Sequence, residues 1–439
     1  MKHIETGIEW LGKIPDHWKI KRLFNICGFV RGNSGFEKND LQTEGEYVAL
    51  QYGKTYKVQE VNNDFKFYIN DNFYKESQIV NYGDVIFVST SETMEDLGHS
   101  VFYNRKDIGL IGGEQILLKP HENIIHGKYL FYLSKAFGKE LQRFATGIKV
   151  FRFDVYDLKT IYIPVPPKQE QIAISDYLDK ACERIDKVLA SKKQQLSKID
   201  SYYKSKLHEL ITKGLGKNID LKDSKIDWQG KVPKHWRRDK LYRLANKMGS
   251  GGTPKSTNQE YYNGNIPWIQ SGDLNDGIIV KTKKTITQRG LNESSAKIFS
   301  SGTVLIAMYG ATIGKLGIMS TDAATNQACC AIQISSKMNS LFLYYLLYDM
   351  REYLISKGYG GGQSNISQEV IKQQYLYYPE IEEQKKIVEK IQFLERKTSD
   401  IKTQVNKQIK TLQDYRKNLI HECITGKKQV VKVMETAKN

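Results

Sequence analysis

The sequence predicts an α/β protein: two mixed α/β domains joined by two long antiparallel coiled-coil helices, the whole a pseudo-two-fold tandem duplication. Three observations carry that expectation. A tryptophan motif occurs twice, as "IEWLGKIPDHW" from Ile8 and "IDWQGKVPKHW" from Ile226. A second segment, Glu170 to Thr212, reappears without a gap as Glu383 to Thr425. The chain also has 439 residues, more than a single hydrophobic core usually organises.

The two repeats differ in offset. Trp10, Gly12, Pro15, His17, Trp18 and Leu23 meet Trp228, Gly230, Pro233, His235, Trp236 and Leu241 at 218 positions, whereas Glu170 meets Glu383 at 213. That 213 holds to the end of the segment, where Tyr202, His208, Glu209 and Ile211 meet Tyr415, His421, Glu422 and Ile424. A packed helix requires constant length, because one inserted residue turns every later side chain by about 100°. The slip of five must therefore lie inside the globular parts. Residues 1–165 are expected to form a first domain, 166–217 a central spacer helix, 218–380 a second domain, 381–425 a distal spacer helix and 426–439 a basic flexible tail.

Apolar spacing supports both helices. A seam of Leu178, Ile185, Val188, Ile199 and Tyr202 runs along the first copy, and one of Ile391, Leu394, Ile401, Val405, Leu412, Tyr415 and Leu419 along the second. Leu189, Leu196, Tyr203 and Leu210 widen the first stripe, so more than the sister helix should cover it. Helix one leads into the second domain, and helix two must end beside the first if equivalent contacts form. The helices then run antiparallel, and Glu170 to Thr212 spans about 65 Å. Within the domains, "YGDVIFVST" and "SSGTVLIAMYG" read as strands entered from turns, while "GKYLFYLSKAFGKEL" and "SLFLYYLLYDMREYL" have helical spacing. "GSGGTPKS" and "YGGGQSNIS" read as loops.

A formal net charge of +17 and a pI near 9.3 point to a polyanionic partner, since clustered Lys and Arg gain affinity by releasing counterions from phosphates. No apolar run approaches the roughly 20 residues of a membrane helix, and "MKHIETGIEW" lacks a signal peptide's apolar stretch. A cytoplasmic protein without membrane partners is expected. The five cysteines form no CxxC pair and read as buried free thiols.

Catalytic motifs are missing. "GATIGK" at Gly310 to Lys315 has three residues between its glycines, where a phosphate-binding loop has four, and Leu316 replaces the required hydroxyl. A DNA methyltransferase would show a [DNS]-P-P-[YFW] site, but Pro166-Pro167 lies between Val165 and Lys168. The eight histidines are scattered, with His17 and His235 expected to pack beside tryptophans rather than to bind metal.

The W-x-G-x-[IV]-P-x-H-W opening, "GATIGKLGI" followed by "TNQACCAI", then "GGGQSNIS" and a Pro-Glu-Gln helix start together resemble the specificity subunit of a type I DNA restriction-modification system. The resemblance covers nearly the whole chain, twice. It implies two target recognition domains that each read half of a bipartite site in double-stranded DNA, with helices that set the spacing. It further implies a non-catalytic subunit with no cofactor of its own, docking two modification (methyltransferase) subunits and restriction (translocase/endonuclease) subunits. S-adenosylmethionine, ATP and Mg are expected in those partners. The alternatives are a coiled-coil DNA-binding adaptor without base specificity, or a self-contained methyltransferase or nuclease.

The first domain departs from the second, with "SETMEDLGHSVF" opposite "GATIGKLGI", "TGIKVFRF" opposite the glycine-rich loop, and "PVPPKQEQ" opposite "PEIEEQ". Contact residues therefore cannot be copied across, and different half-sites are expected. Basic and amide side chains in loops are the candidates for DNA contact: Arg31, Asn33, Lys149 and Arg152 in the first domain, and Lys255, Ser271, Lys315, Gln363 and Asn365 in the second. Lys and Arg suit guanine edges and phosphates, whereas Gln and Asn suit adenine.

Overall fold

A computed structural model describes residues 2–216, 219–358 and 365–430. These fall into two units, Met1–Lys192 with Asn406–Asn439, and Lys193–Val405. Residues 431–439 of the expected basic tail lie outside the described residues.

Each unit contains a globular head with two sheets. In the first head the five-stranded sheet runs in the order Cys27–Arg31, Gln115–Pro120, Val85–Val88, Ser100–Tyr103, Glu60–Val61. Its four-stranded companion runs Tyr68–Ile69, Tyr47–Leu50, Gly109–Ile111, Ile79–Val80. The second head repeats the topology strand for strand: Ala245–Gly249, Cys329–Ile334, Val304–Ala307, Leu316–Met319, Gly277–Ile279, beside Lys284–Ile286, Tyr262–Ile269, Ala323–Thr325, Lys297–Phe299. One parallel pair closes each five-stranded sheet, and another lies at the centre of each four-stranded one. Most of the slip in offset sits in two segments: 89–99 against 308–315, and 104–114 against 320–328.

The apolar runs are strands buried on both faces, as continuous hydrophobicity requires. Val85 and Phe87 join the core under the helices, while Ile86 joins the core toward the second sheet. In the second head Val304 and Ile306 face the helices, and Leu305 and Ala307 the other side. The two-residue period of a strand thus sorts neighbouring residues into two cores. The helices Gly127–Leu141 and Ser340–Asp349 cover one face of each large sheet, the latter followed by Arg351–Ser356.

The long helices span Lys168–Lys213 and Ile381–Ile424, starting 213 residues apart. Each unit holds a part of both. In the first, Asp186 pairs with Arg416 at 3.3 Å, and the Ile424 carbonyl accepts from the Tyr129 hydroxyl at 3.3 Å. In the second, Asp200 pairs with Lys402, and the Tyr203 hydroxyl donates to Glu395 at 2.7 Å. With Cys182 also beside Cys423 in the first unit, rising numbers on one helix meet falling numbers on the other, so the two run antiparallel within each unit.

The buried stripe differs in phase from the expected seam. Leu178, Cys182 and Ile185 are buried, Leu189, Leu196, Ile199 and Tyr203 half-buried, and Leu207 and Ile211 buried. Val188 is 43% exposed and Tyr202 52% exposed. On the second helix Ile391, Val405 and Leu419 are buried and Leu394, Ile401 and Leu412 half-buried, but Tyr415 is 52% exposed and Arg416 takes the inward place. The reason is that the head packs against one flank of the pair, drawing the stripe one residue round. All five cysteines are buried and unpaired, and burial pushes the Cys330 and Cys423 thiols up to about 12. Among the described residues no helix is long and apolar enough to cross a membrane.

Candidate nucleic-acid interface

In the second head the loops gather at one end of the five-stranded sheet. The Gly251 amide donates to Thr325 Oγ1 at 3.1 Å and the Gly252 amide to the Thr325 carbonyl at 3.0 Å. Gly251 must be glycine, because a Cβ there would lie 1.9 Å from that carbonyl oxygen. Thr253 Oγ1 donates to Gln327 Oε1 at 2.6 Å, Gln368 Nε2 to Ser250 Oγ at 2.6 Å, and the Ile366 amide to the Met308 carbonyl at 2.8 Å. These bonds stitch the segments around residues 250, 308, 326 and 366 into one surface. Lys255 and Asn365 are exposed on it, while Lys315 and Ser271 are half-buried. Ser271 follows the strand Tyr262–Ile269, whose last carbonyl accepts from the Asn326 amide at 2.9 Å. Gln363 lies outside the described residues.

The "GATIGK" stretch is a tight turn between strands. Three of its amides are spent within the head: Ile313 on the Gly310 carbonyl, Gly314 on Ala307, Lys315 on Thr312. Gly310 and Gly314 take φ of 79° and 76°, which glycine adopts without strain. Lys315 is the one basic side chain of this turn and is half-buried.

The first head brings its four candidates to the corresponding end. Arg31 closes the strand Cys27–Arg31, and the Asn33 amide donates to Gln78 Oε1 at 2.7 Å while Lys75 Nζ donates to the Asn33 carbonyl at 2.7 Å. Lys149 and Arg152 ride a hairpin closed by reciprocal backbone bonds between Thr146 and Arg152 at 3.0 and 2.9 Å. Its strand Phe151–Arg152 pairs with Thr90–Ser91, beside the end of Val85–Val88. Ile148 stands at the tip, 96% exposed. Where the second head has Lys315, immediately before its strand, the first has His99. Burial pushes His99 down to about 4, and its Nε2 lies 2.9 Å from the Val58 carbonyl, so this position carries charge in one head and none in the other.

Sequence reasoning missed Tyr52, Thr253 and Gln327. Tyr52 is 46% exposed just beyond the strand Tyr47–Leu50, matching Ser271 beyond its equivalent strand. Aligning strand ends would have found it. Thr253 and Gln327 are 74 residues apart, and no local pattern announces their bond.

His17 and His235 do more than pack. His17 Nε2 lies 2.8 Å from Glu170 Oε1, and Trp18 Nε1 donates to Glu170 Oε2 at 2.9 Å. His235 and Trp236 repeat this on Glu383 at 3.0 and 3.3 Å. The neighbouring glutamine anchors a loop: Gln171 donates to the Ile124 and Pro166 carbonyls and accepts from the His126 amide, as Gln384 does with Lys337, Pro379 and Asn339. Each Glu-Gln pair therefore bolts a head to the start of its own long helix.

Among the described residues no group of His, Cys, Asp and Glu is placed to hold a metal ion. What the loop ends offer is cations, amides and hydroxyls for phosphates and base edges. Two heads of one topology with unlike loop ends define a two-module recognition protein. The sequence matches the family described as "Type I restriction modification DNA specificity domain" over residues 15–199 and 233–411, and the chain belongs to that family. It is 23% identical over 433 residues to the putative type I restriction enzyme MjaX specificity subunit of Methanocaldococcus jannaschii, covering 96% of each chain. With the MjaVIII specificity subunit of the same organism it shares 24% over 435 residues, covering 95% of this chain and 94% of that one. A solved chain from a study of assembly and conformational transition of the type I R-M system has the same fold, with TM-score 0.71 and 17% identity over 94% of this chain and 98% of that one.

Proposed function

We propose that this chain is the DNA-recognition subunit of a type I restriction-modification complex, non-catalytic itself, reading one bipartite site in double-stranded DNA. The observation that carries the reading is that the family match occurs once per head, on heads whose loop ends differ in length and charge. Heads 1–165 and 218–380 serve as separate readers, with Lys and Arg meeting phosphates and guanine edges and Asn and Gln meeting adenine. The paired helices act as a ruler and as a platform for two modification subunits, and restriction subunits join them. S-adenosylmethionine, ATP and Mg belong to those partners, which flip out and methylate a base. The complex acts in the cytoplasm. Mapping methylated positions across the genome with and without this gene tests the reading. Loss of one bipartite class of methylated site supports it, and an unchanged map refutes it.

A further inference from the structure

In the second unit, Tyr203, Tyr344, Tyr345 and Tyr348 wall a groove of about 310 Å³. Glu395 lies within it, accepting from the Tyr203 hydroxyl on Oε1 at 2.7 Å and from the Tyr345 hydroxyl on Oε2 at 2.8 Å. Tyr344 meets Tyr345 edge-on, with centroids 5.3 Å apart, and leans toward Tyr348 at 6.3 Å. The other charged groups here are paired. Asp276 binds Arg351, whose guanidinium lies 4.8 Å from the Tyr348 ring centre, and Lys402 binds Asp200. Among the described residues Glu395 is the one carboxylate of the groove without a basic partner.

The corresponding place in the first unit supplies its own cations. Arg416 stands where the second unit has Tyr203, and pairs with Asp186 at 3.3 Å. Lys128 stands where the second has Leu341; it lies 4.4 Å from the Phe102 ring centre and pairs with Glu60 at 3.2 Å and Asp179 at 3.3 Å. Its side chain is only 12% exposed. Phe131 and Tyr132 take the places of Tyr344 and Tyr345. One half of the duplication thus fills an aromatic, acidic groove with an internal ammonium and guanidinium. The other keeps the aromatic walls, has leucine and tyrosine where those two cations stand and Glu395 where the first has Cys182, and spends its own lining Lys402 on Asp200.

We infer that the groove of the second unit takes an external organic cation, an alkylammonium or guanidinium group held over the tyrosine faces and against Glu395. Ring quadrupoles attract such groups, and the attraction grows as water is excluded. A free polyamine and a Lys or Arg side chain of a protein partner present the same chemistry. Because the chain carries a net +17, diffuse attraction of cations is opposed, and saturable uptake points to a built site.

Calorimetric titration of the full chain at low salt tests this, using spermidine, N-acetyl-lysine methylamide and N-acetyl-arginine methylamide as probes. At least one should bind at one equivalent, at least tenfold more weakly to Glu395→Gln, and not measurably to Tyr203→Arg, which places the first unit's guanidinium in the groove. Glu395→Gln is nearly isosteric, its carbonyl oxygen accepting from one tyrosine while its amide N–H donates to the hydroxyl oxygen of the other, so it decides the matter should Tyr203→Arg unfold. Preference for spermidine assigns the site to a free polyamine, and preference for either amino-acid amide assigns it to a protein side chain. No saturable binding of any probe at millimolar concentration, or binding that Glu395→Gln leaves unchanged, overturns the inference.

Discussion

Trp18 Nε1 donates to Glu170 Oε2 at 2.9 Å across 152 residues of sequence, and Trp236 does the same to Glu383 across 147. The tryptophan motif that opens each head and the glutamate that starts each long helix are therefore two sides of one joint. Replacing Glu170 with alanine leaves the indole N–H of a buried tryptophan without its acceptor. Loss of a hydrogen bond to a charged group costs about 2 kcal/mol. Denaturant unfolding should show that loss in the first unit's transition, with a smaller one for Glu170→Gln, which keeps an acceptor. Equal stability of Glu170→Ala and the wild type would mean that the joint contributes nothing.

The continuous helix of 46 residues is about 69 Å long. Inserting four residues between Ser191 and Lys192 adds about 6 Å and turns the remainder of the helix by about 40°. The spacer tolerated between half-sites should lengthen, or methylation should cease. An insert that leaves the methylated sequence unchanged would remove the ruler from the proposal.

If each head reads its own half-site, substitutions at the two loop ends act on different halves of the target. Arg152→Ala should relax preference in one half and Lys315→Ala should weaken binding through the other, each by about 1 to 3 kcal/mol where a base contact is lost. Competition binding at raised salt separates the two kinds of contact, because phosphate binding fades steeply while base readout keeps its ratio. Exchange of residues 20–163 for another member's head should change one half-site alone. A change in both halves would defeat the two-reader arrangement.

Two buried groups of the first head set opposing pH dependences. Burial raises Asp84 to about 6, so its contribution is present below about 4 and lost as pH rises to about 6. Burial lowers His99 to about 4, so its contribution is present above 6.5 and lost as pH falls toward 4. Between pH 4 and 6 the two slopes oppose each other. Asp84→Asn keeps an acceptor for the Asn81 amide, which donates to Asp84 at 2.9 Å, but removes one slope. Unfolding of this variant should grow steeper with acid than the wild type's, and parallel curves would show that Asp84 does not titrate in that window.

Sequence alone determined the doubling, the constant length of the long helices and the position of the head helix Gly127–Leu141, because these rest on periodicity and repetition that short windows contain. It also pointed to Arg31, Asn33, Lys149 and Arg152, and to Lys255, Ser271, Lys315 and Asn365, which the folded chain gathers at matching sheet ends; their contact with DNA is the proposal. Tertiary structure decided what no window holds. Val188 and Leu189, or Tyr202 and Tyr203, are adjacent apolar residues about 100° apart on a helix, and which one faces inward depends on the head packed against the flank. The bond from Trp18 to Glu170 and the pairing of Thr253 with Gln327 likewise exist only once distant segments meet. Local periodicity records which face of an element is apolar, whereas the identity of the covering partner is a property of the whole folded chain.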